Sequence, residues 1–179
     1  MTQIGSVYGQ ALYSLAREEN CSETILGELS VLDRSFGQEP DFLRLMSAPN
    51  LSKEERCGIL DGSFRGKVHP YVLNFLKILT EKGYVRHFSD CCQAYRLRYN
   101  QANNILPVTA VTALALSVVQ KSRLQAKLQE QTGKTVDLTN RIDPDILGGI
   151  RLDYDGKRLD GTVQNHLDSI RELLKNTVL

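Results

Sequence analysis

IDPDILGGIRLDYDGKRLDGTVQNHLDSIRELL, residues 142–174, holds a turn, a glycine pair, a hairpin and an amphipathic tail in one short run. Asp143-Pro144 marks a turn, because the proline ring restricts the residue before it and carries no amide donor. Ile150, Leu152 and Tyr154 alternate with Arg151 and Asp153, the period of a strand with one dry face and one wet face. Asp155-Gly156 tolerates the positive φ angles of a tight hairpin turn, so Lys157, Arg158 and Leu159 are expected to return antiparallel. Asp160-Gly161 reads as the end of that return strand. Beyond it Val163, Leu167, Ile170 and Leu174 recur at helical spacing, which predicts a terminal helix with Val163, Leu167 and Ile170 packed on the sheet.

Upstream, Val108 to Ala113 is rich in β-branched residues and Val136 and Leu138 alternate with polar neighbours, so both stretches read as strands. Between them Ser117 to Gln120 has the form of a capping box, and Gly133 ends the helix it opens. Residues 105–179 are therefore expected to form a small α/β domain with a β-hairpin and a terminal helix.

The first 104 residues have a different period. Ile4, Val7, Tyr8, Ala11, Leu12 and Leu15 make an apolar helical stripe, and Gly5 and Gly9, one turn apart in it, point to close approach of another backbone. Ser22 is expected to cap a second helix with the seam Ile25, Leu29, Leu32 and Phe36. A short segment from Phe42 to Met46 follows. Ser52-Lys53-Glu54-Glu55 is a capping box that opens a fourth helix burying Ile59, Leu60 and Phe64. His69-Pro70 opens a fifth, Tyr71 to Leu79, apolar nearly all round except at Asn74 and Lys77, and Gly83 stops it. Ser89 is expected to cap a sixth, carrying Cys92, Tyr95 and Tyr99. The fold class is thus α+β: an N-terminal six-helix bundle over 1–104, followed by the small α/β domain.

Composition narrows the function. With 22 Lys plus Arg against 21 Asp plus Glu, a net charge of +1 gives no electrostatic reason to expect nucleic acid or an anionic membrane. Cys21, Cys57, Cys91 and Cys92 lack repeated C-x-x-C spacing, and the chain reads as cytosolic with free thiols. The nearly uncharged run Ile105 to Val119 is too short to span a bilayer.

Chemistry is weakly signalled. His87 near Cys91 and Cys92 offers too few ligands for zinc, and His69 and His166 have no adjacent nucleophile signature. Gly148-Gly149 fits neither phosphate-loop pattern and reads as a strand kink. Asp143, Asp145, Asp153, Asp155 and Asp160 sit at turns and on a wet strand face and lack EF-hand spacing. Arg96 and Arg98 beside Tyr95 and Tyr99 leave an RNA-binding helical module of the antitermination type as the rival reading. No catalytic group, cofactor or metal is expected. The first and fifth helices carry more apolar surface than a small bundle encloses easily, so either all of it is core or a groove between them receives a partner's helix.

Taken together, Tyr8-Gly9-Gln10-Ala11-Leu12-Tyr13-Ser14-Leu15-Ala16, Pro49 to Leu60, Asn74-Phe75-Leu76-Lys77-Ile78-Leu79, Gly148-Gly149-Ile150 and Asp160-Gly161-Thr162-Val163 resemble, in order and spacing, the delta subunits of bacterial ATP synthases and the related oligomycin-sensitivity-conferring proteins. The resemblance covers nearly the whole chain. One departure is Thr112-Ala113-Leu114-Ala115-Leu116, where a proline often follows the strand in the family. The resemblance implies a non-catalytic peripheral-stalk subunit on the cytoplasmic face of the bacterial cell membrane, reaching the membrane only through its complex. It implies that the N-terminal helix of an alpha subunit lies between the first and fifth helices, on Tyr8, Ala11, Leu12, Leu15, Phe75, Leu76 and Leu79. It further implies that the C-terminal half engages the C-terminal end of the b subunit.

Overall fold

The computed structural model describes residues 2–47, 51–163 and 165; among them are seven α-helices, a 3-10 turn and one four-stranded sheet, an α+β protein. The chain divides into two compact units, residues 1–99 and 100–179.

The first unit is helical. Its opening helix α1, Gln3–Glu18, is capped by Thr2, whose side chain accepts the Gly5 amide. The next, α2 (Ser22–Gln38), buries the seam Ile25, Leu29, Leu32 and Phe36. Ser22 is the first helical residue here rather than the cap; Cys21 precedes it and makes no side-chain cap bond. The helix ends at Gln38, between Gly37 and Pro40, and Pro40 opens α3, Pro40–Met46, at the position where a missing amide costs nothing. Ser52 forms the reciprocal capping box with Glu55 and starts α4, Lys53–Phe64. His69 caps α5, Pro70–Glu81, by accepting the Tyr71 amide on its ring, while its own amide donates to Glu28 at 2.7 Å. Lys77 of α5 pairs with Asp61 of α4 at 2.7 Å.

A 3-10 turn, Val85–His87, runs directly into α6, Phe88–Ala102, so Ser89 lies inside the helix and caps nothing. The helices share a core that includes Ala16, Ile25, Leu29, Met46, Leu60, Val72, Leu76, Leu79, Phe88 and Tyr95, all at most 1% exposed. Phe36 joins its rings to Phe42, Phe64 and Phe88 at 5.1–6.2 Å, edge-on or stacked.

In the second unit, strand β1 (Ile105–Thr112) lies in the middle of the sheet order β2-β1-β3-β4. It pairs in parallel with β2, Thr135–Ile142, and antiparallel with β3, Gly149–Tyr154. Parallel pairing needs a crossover, and α7, Val118–Thr132, supplies it. Its box of Ser117 and Gln120 opens it, and Gly133 at φ 65° ends it. Leu124 and Leu128 of α7 cover Leu106, Val108, Ala110, Val136, Leu138 and Leu152, the dry face of the sheet. Asn140 closes the β1–α7 connection by donating to Ala110 O and Thr112 Oγ1 and accepting the Leu116 amide, each at 2.9 Å. The departure from the usual proline therefore leaves the strand end at Thr112.

The hairpin turns at Asp155 and Gly156, with φ 48° and 71°, into β4, Lys157–Thr162. Asp160-Gly161 does not end β4: Gly161 pairs with Ile150, and Asp160 instead accepts the amide and hydroxyl of Thr162. Gly149, at φ 88°, packs against the Gly161 carbonyl so closely that no side chain fits. Leu167, Ile170 and Leu174, expected in a terminal helix, lie outside the described residues. Val163, assigned to the core from its spacing, is 49% exposed.

Candidate helix-binding furrow

α1 and α5 run antiparallel. The ring of Tyr8, near the start of α1, meets that of Tyr84, just past α5, edge-on at 5.9 Å, and Glu19, just past α1, lies beside Tyr71 in the first turn of α5. Between them lies a furrow of about 250 Å³ walled by Tyr8, Ala11, Leu12 and Leu15 on one side and Tyr71, Asn74, Phe75 and Ile78 on the other. Leu12 and Phe75, 5% and 6% exposed, form its floor; Leu15 and Ile78, each 38% exposed, form its lips. Burial first, and the Glu19 carboxylate second, push the Tyr71 hydroxyl above its ordinary value. Tyr8, Tyr71 and Asn74 carry the polar groups of an otherwise oily lining.

The structure thus brings together Tyr8, Ala11, Leu12, Leu15 and Phe75, and leaves two expected residues out. Leu76 and Leu79 are fully buried and face the bundle core, because α5 turns Val72, Leu76, Leu79 and Thr80 inward. Neither can touch a ligand in the furrow. Tyr71, Asn74 and Ile78 line the furrow from α5 beside Phe75. The sequence carried a usable signal: Asn74 is the one uncharged polar residue in the middle of α5, and Tyr71 and Ile78 flank it at helical spacing.

A second apolar surface was not legible as such. Leu114, Val118, Val119, Ile142 and Leu147 are 53–83% exposed, and with Val163 they all lie where β1, β2 and β4 end and β3 begins. Such a concentration on one small unit is larger than scattered surface leucines require.

Other candidates hold less. The hollow beside Lys53, Glu54, Cys57, Glu81 and Lys82 is lined by charges of both signs, and the Cys57 thiol there donates to Glu81 at 3.8 Å. The Tyr–Arg cluster does not support an RNA platform, since Tyr95 is fully buried with its hydroxyl on Ser22 O. Arg96 and Arg98 donate to Ser30 and Gln10. Among the described residues no helix is long and apolar enough to cross a membrane.

Comparison with known proteins agrees with this architecture. The chain is 32% identical to the ATP synthase subunit delta of Alkaliphilus oremlandii over 172 residues, covering 96% of each. It is 31% identical to that of Clostridioides difficile over 176 residues, 98% and 97% covered, and 33% identical to that of Lactobacillus johnsonii, 96% and 94% covered. Its fold superposes with a TM-score of 0.77 on a chain of the Toxoplasma gondii mitochondrial ATP synthase hexamer, 18% identical, over 97% of this chain and 98% of that one. Residues 4–174 match the model for the ATP synthase delta (OSCP) subunit, and the chain belongs to that family.

Proposed function

We propose that this chain, a non-catalytic subunit of the peripheral stalk of the rotary proton-translocating ATP synthase, ties the catalytic head to the stalk through two separate faces. The head of such a machine feels torque from its rotor at every turn, and a tether that stops it from co-rotating must grip both the head and an anchored element. The furrow between α1 and α5 takes the N-terminal helix of an alpha subunit. The apolar end of the sheet in the second unit takes the C-terminal end of the b subunit. The chain then sits at the cytoplasmic face of the bacterial membrane by way of its partners.

The observation that carries this reading is the furrow itself: an open, apolar trench between two antiparallel helices, with tyrosine and asparagine at its edge, is how an amphipathic helix is received. Two modest contacts on one chain reinforce one another through effective concentration, so neither needs to be large.

Titration with a peptide of the alpha subunit's N-terminal helix tests the first face. Saturable binding is expected, and Leu15→Glu or Ile78→Glu, both at the lips and so compatible with folding, is expected to abolish it. Equal binding by both variants would overturn the assignment. For the second face, Val118→Glu with Leu147→Glu is expected to remove association with the b subunit's C-terminal segment.

A further inference from the structure

The α1 wall of the furrow is held from its neighbouring flank by α6. The Thr2 hydroxyl accepts the Gly5 amide at 3.2 Å as the N-cap of α1 and donates to Asp90 Oδ2 at 2.7 Å. The Thr2 amide donates to the same oxygen at 3.1 Å. One carboxylate of α6 therefore receives two bonds from the residue that starts α1. These charge-assisted bonds hold the Asp90 carboxyl below its usual range.

Backbone contact continues the seam. A Cβ on Gly5 would lie 2.9 Å from the Asp90 carbonyl carbon, and one on Gly9 would lie 2.8 Å from the Ala94 Cβ. Farther along, Arg98 donates to Gln10 at 3.0 Å. With glycines at the crossing, the distance between the two helices is set by backbone rather than by deformable side chains.

We propose that Asp90 is a positioning residue for the furrow: by holding the Thr2 cap it keeps the first turns of α1 at the separation from α5 that an incoming helix needs. This rests on the reading of the furrow as a helix-binding site. Asp90 lines no part of that furrow, so its effect on affinity is indirect. Its contribution is preorganisation: a wall already in place loses less freedom when the ligand arrives.

The test uses the full chain and the synthetic alpha-subunit helix, titrated at a temperature where circular dichroism shows every variant fully folded. Asp90→Ala and Thr2→Val are each expected to weaken binding about tenfold, the scale of losing a bond to a charged group. Thr2→Ser, which keeps the hydroxyl, is expected to bind as the parent does. Hydrogen exchange of the Val7 to Ala11 amides is expected to speed up in the first two variants alone. A purely structural role would lower the melting temperature and leave the affinity of the folded protein unchanged. Parent-like affinity in Thr2→Val and in a folded Asp90→Ala overturns the inference while the furrow reading stands. Failure of the parent to bind the peptide overturns both.

Discussion

Gly9 of α1 rests on the backbone of α6 at Cys91, its α-carbon so near the Cys91 carbonyl oxygen that a methyl group cannot be inserted without moving a helix. The obstruction is main chain, which cannot swing aside as a side chain would. Gly9→Ala is therefore expected to cost about 1–3 kcal/mol, the typical range for overpacking. Thermal or urea unfolding measures it, and Gly27→Ala, with open space around it, serves as the control.

The two faces of α5 predict opposite responses to truncation. Leu76 and Leu79 are sealed in the core, so Leu76→Ala or Leu79→Ala is expected to destabilise the protein by about 2–5 kcal/mol. Ile78→Ala, at the furrow lip, is expected to cost less than about 1 kcal/mol, in keeping with a partly exposed side chain. Denaturant midpoints decide between this facing and the opposite one.

The four cysteines are expected to separate into two reactivity classes. Burial pushes the Cys91 thiol up to about 12, and burial, with Asp33 next, pushes Cys92 higher still. The thiolate is the reactive form, so neither is expected to react in the folded protein near neutral pH. Iodoacetamide followed by peptide mass mapping is expected to label Cys21 and Cys57 first and to reach Cys91 and Cys92 only on denaturation.

Asp90 gives a signed pH dependence. Its hydrogen bonds from the Thr2 side chain, and then from the Thr2 backbone, hold its carboxyl below the usual 3.8. A lowered carboxylate stabilises the fold above its unfolded value, and that contribution disappears as pH falls through the folded value. The melting-temperature gap between the parent and Asp90→Ala is thus expected to close as pH falls below about 4. A gap that widens as pH falls below about 4 would contradict the assignment.

How much of this was written in the sequence depends on how local each signal is. The boxes at Ser52 and Ser117, the left-handed Gly133 and the Asp155-Gly156 turn were all legible, because each is decided within about four residues. Ser22 and Ser89 were misplaced for the same reason: a plausible cap is outbid when the chain before it already turns, as the 3-10 turn at Val85–His87 does before α6. Asp160-Gly161 resembles a turn in isolation, yet Ile150 requires a partner across the hairpin and keeps it in the strand. The outward face of α5 was hidden because nearly every residue of that helix is apolar, and its packing against α4 and α2 decides which leucines go in. The parallel register of β1 and β2 joins residues thirty apart, a distance over which periodicity carries no information.

The placement of β1 has a mechanical consequence. It is the first strand after α6, and it is bonded along both edges, to β2 on one side and β3 on the other. A load applied along the axis of β1 strains both ladders lengthwise, so that many bonds must yield together. A border strand would instead peel away one rung at a time. In a stationary tether under repeated rotary load, a strand so placed is thus the one best secured against tearing.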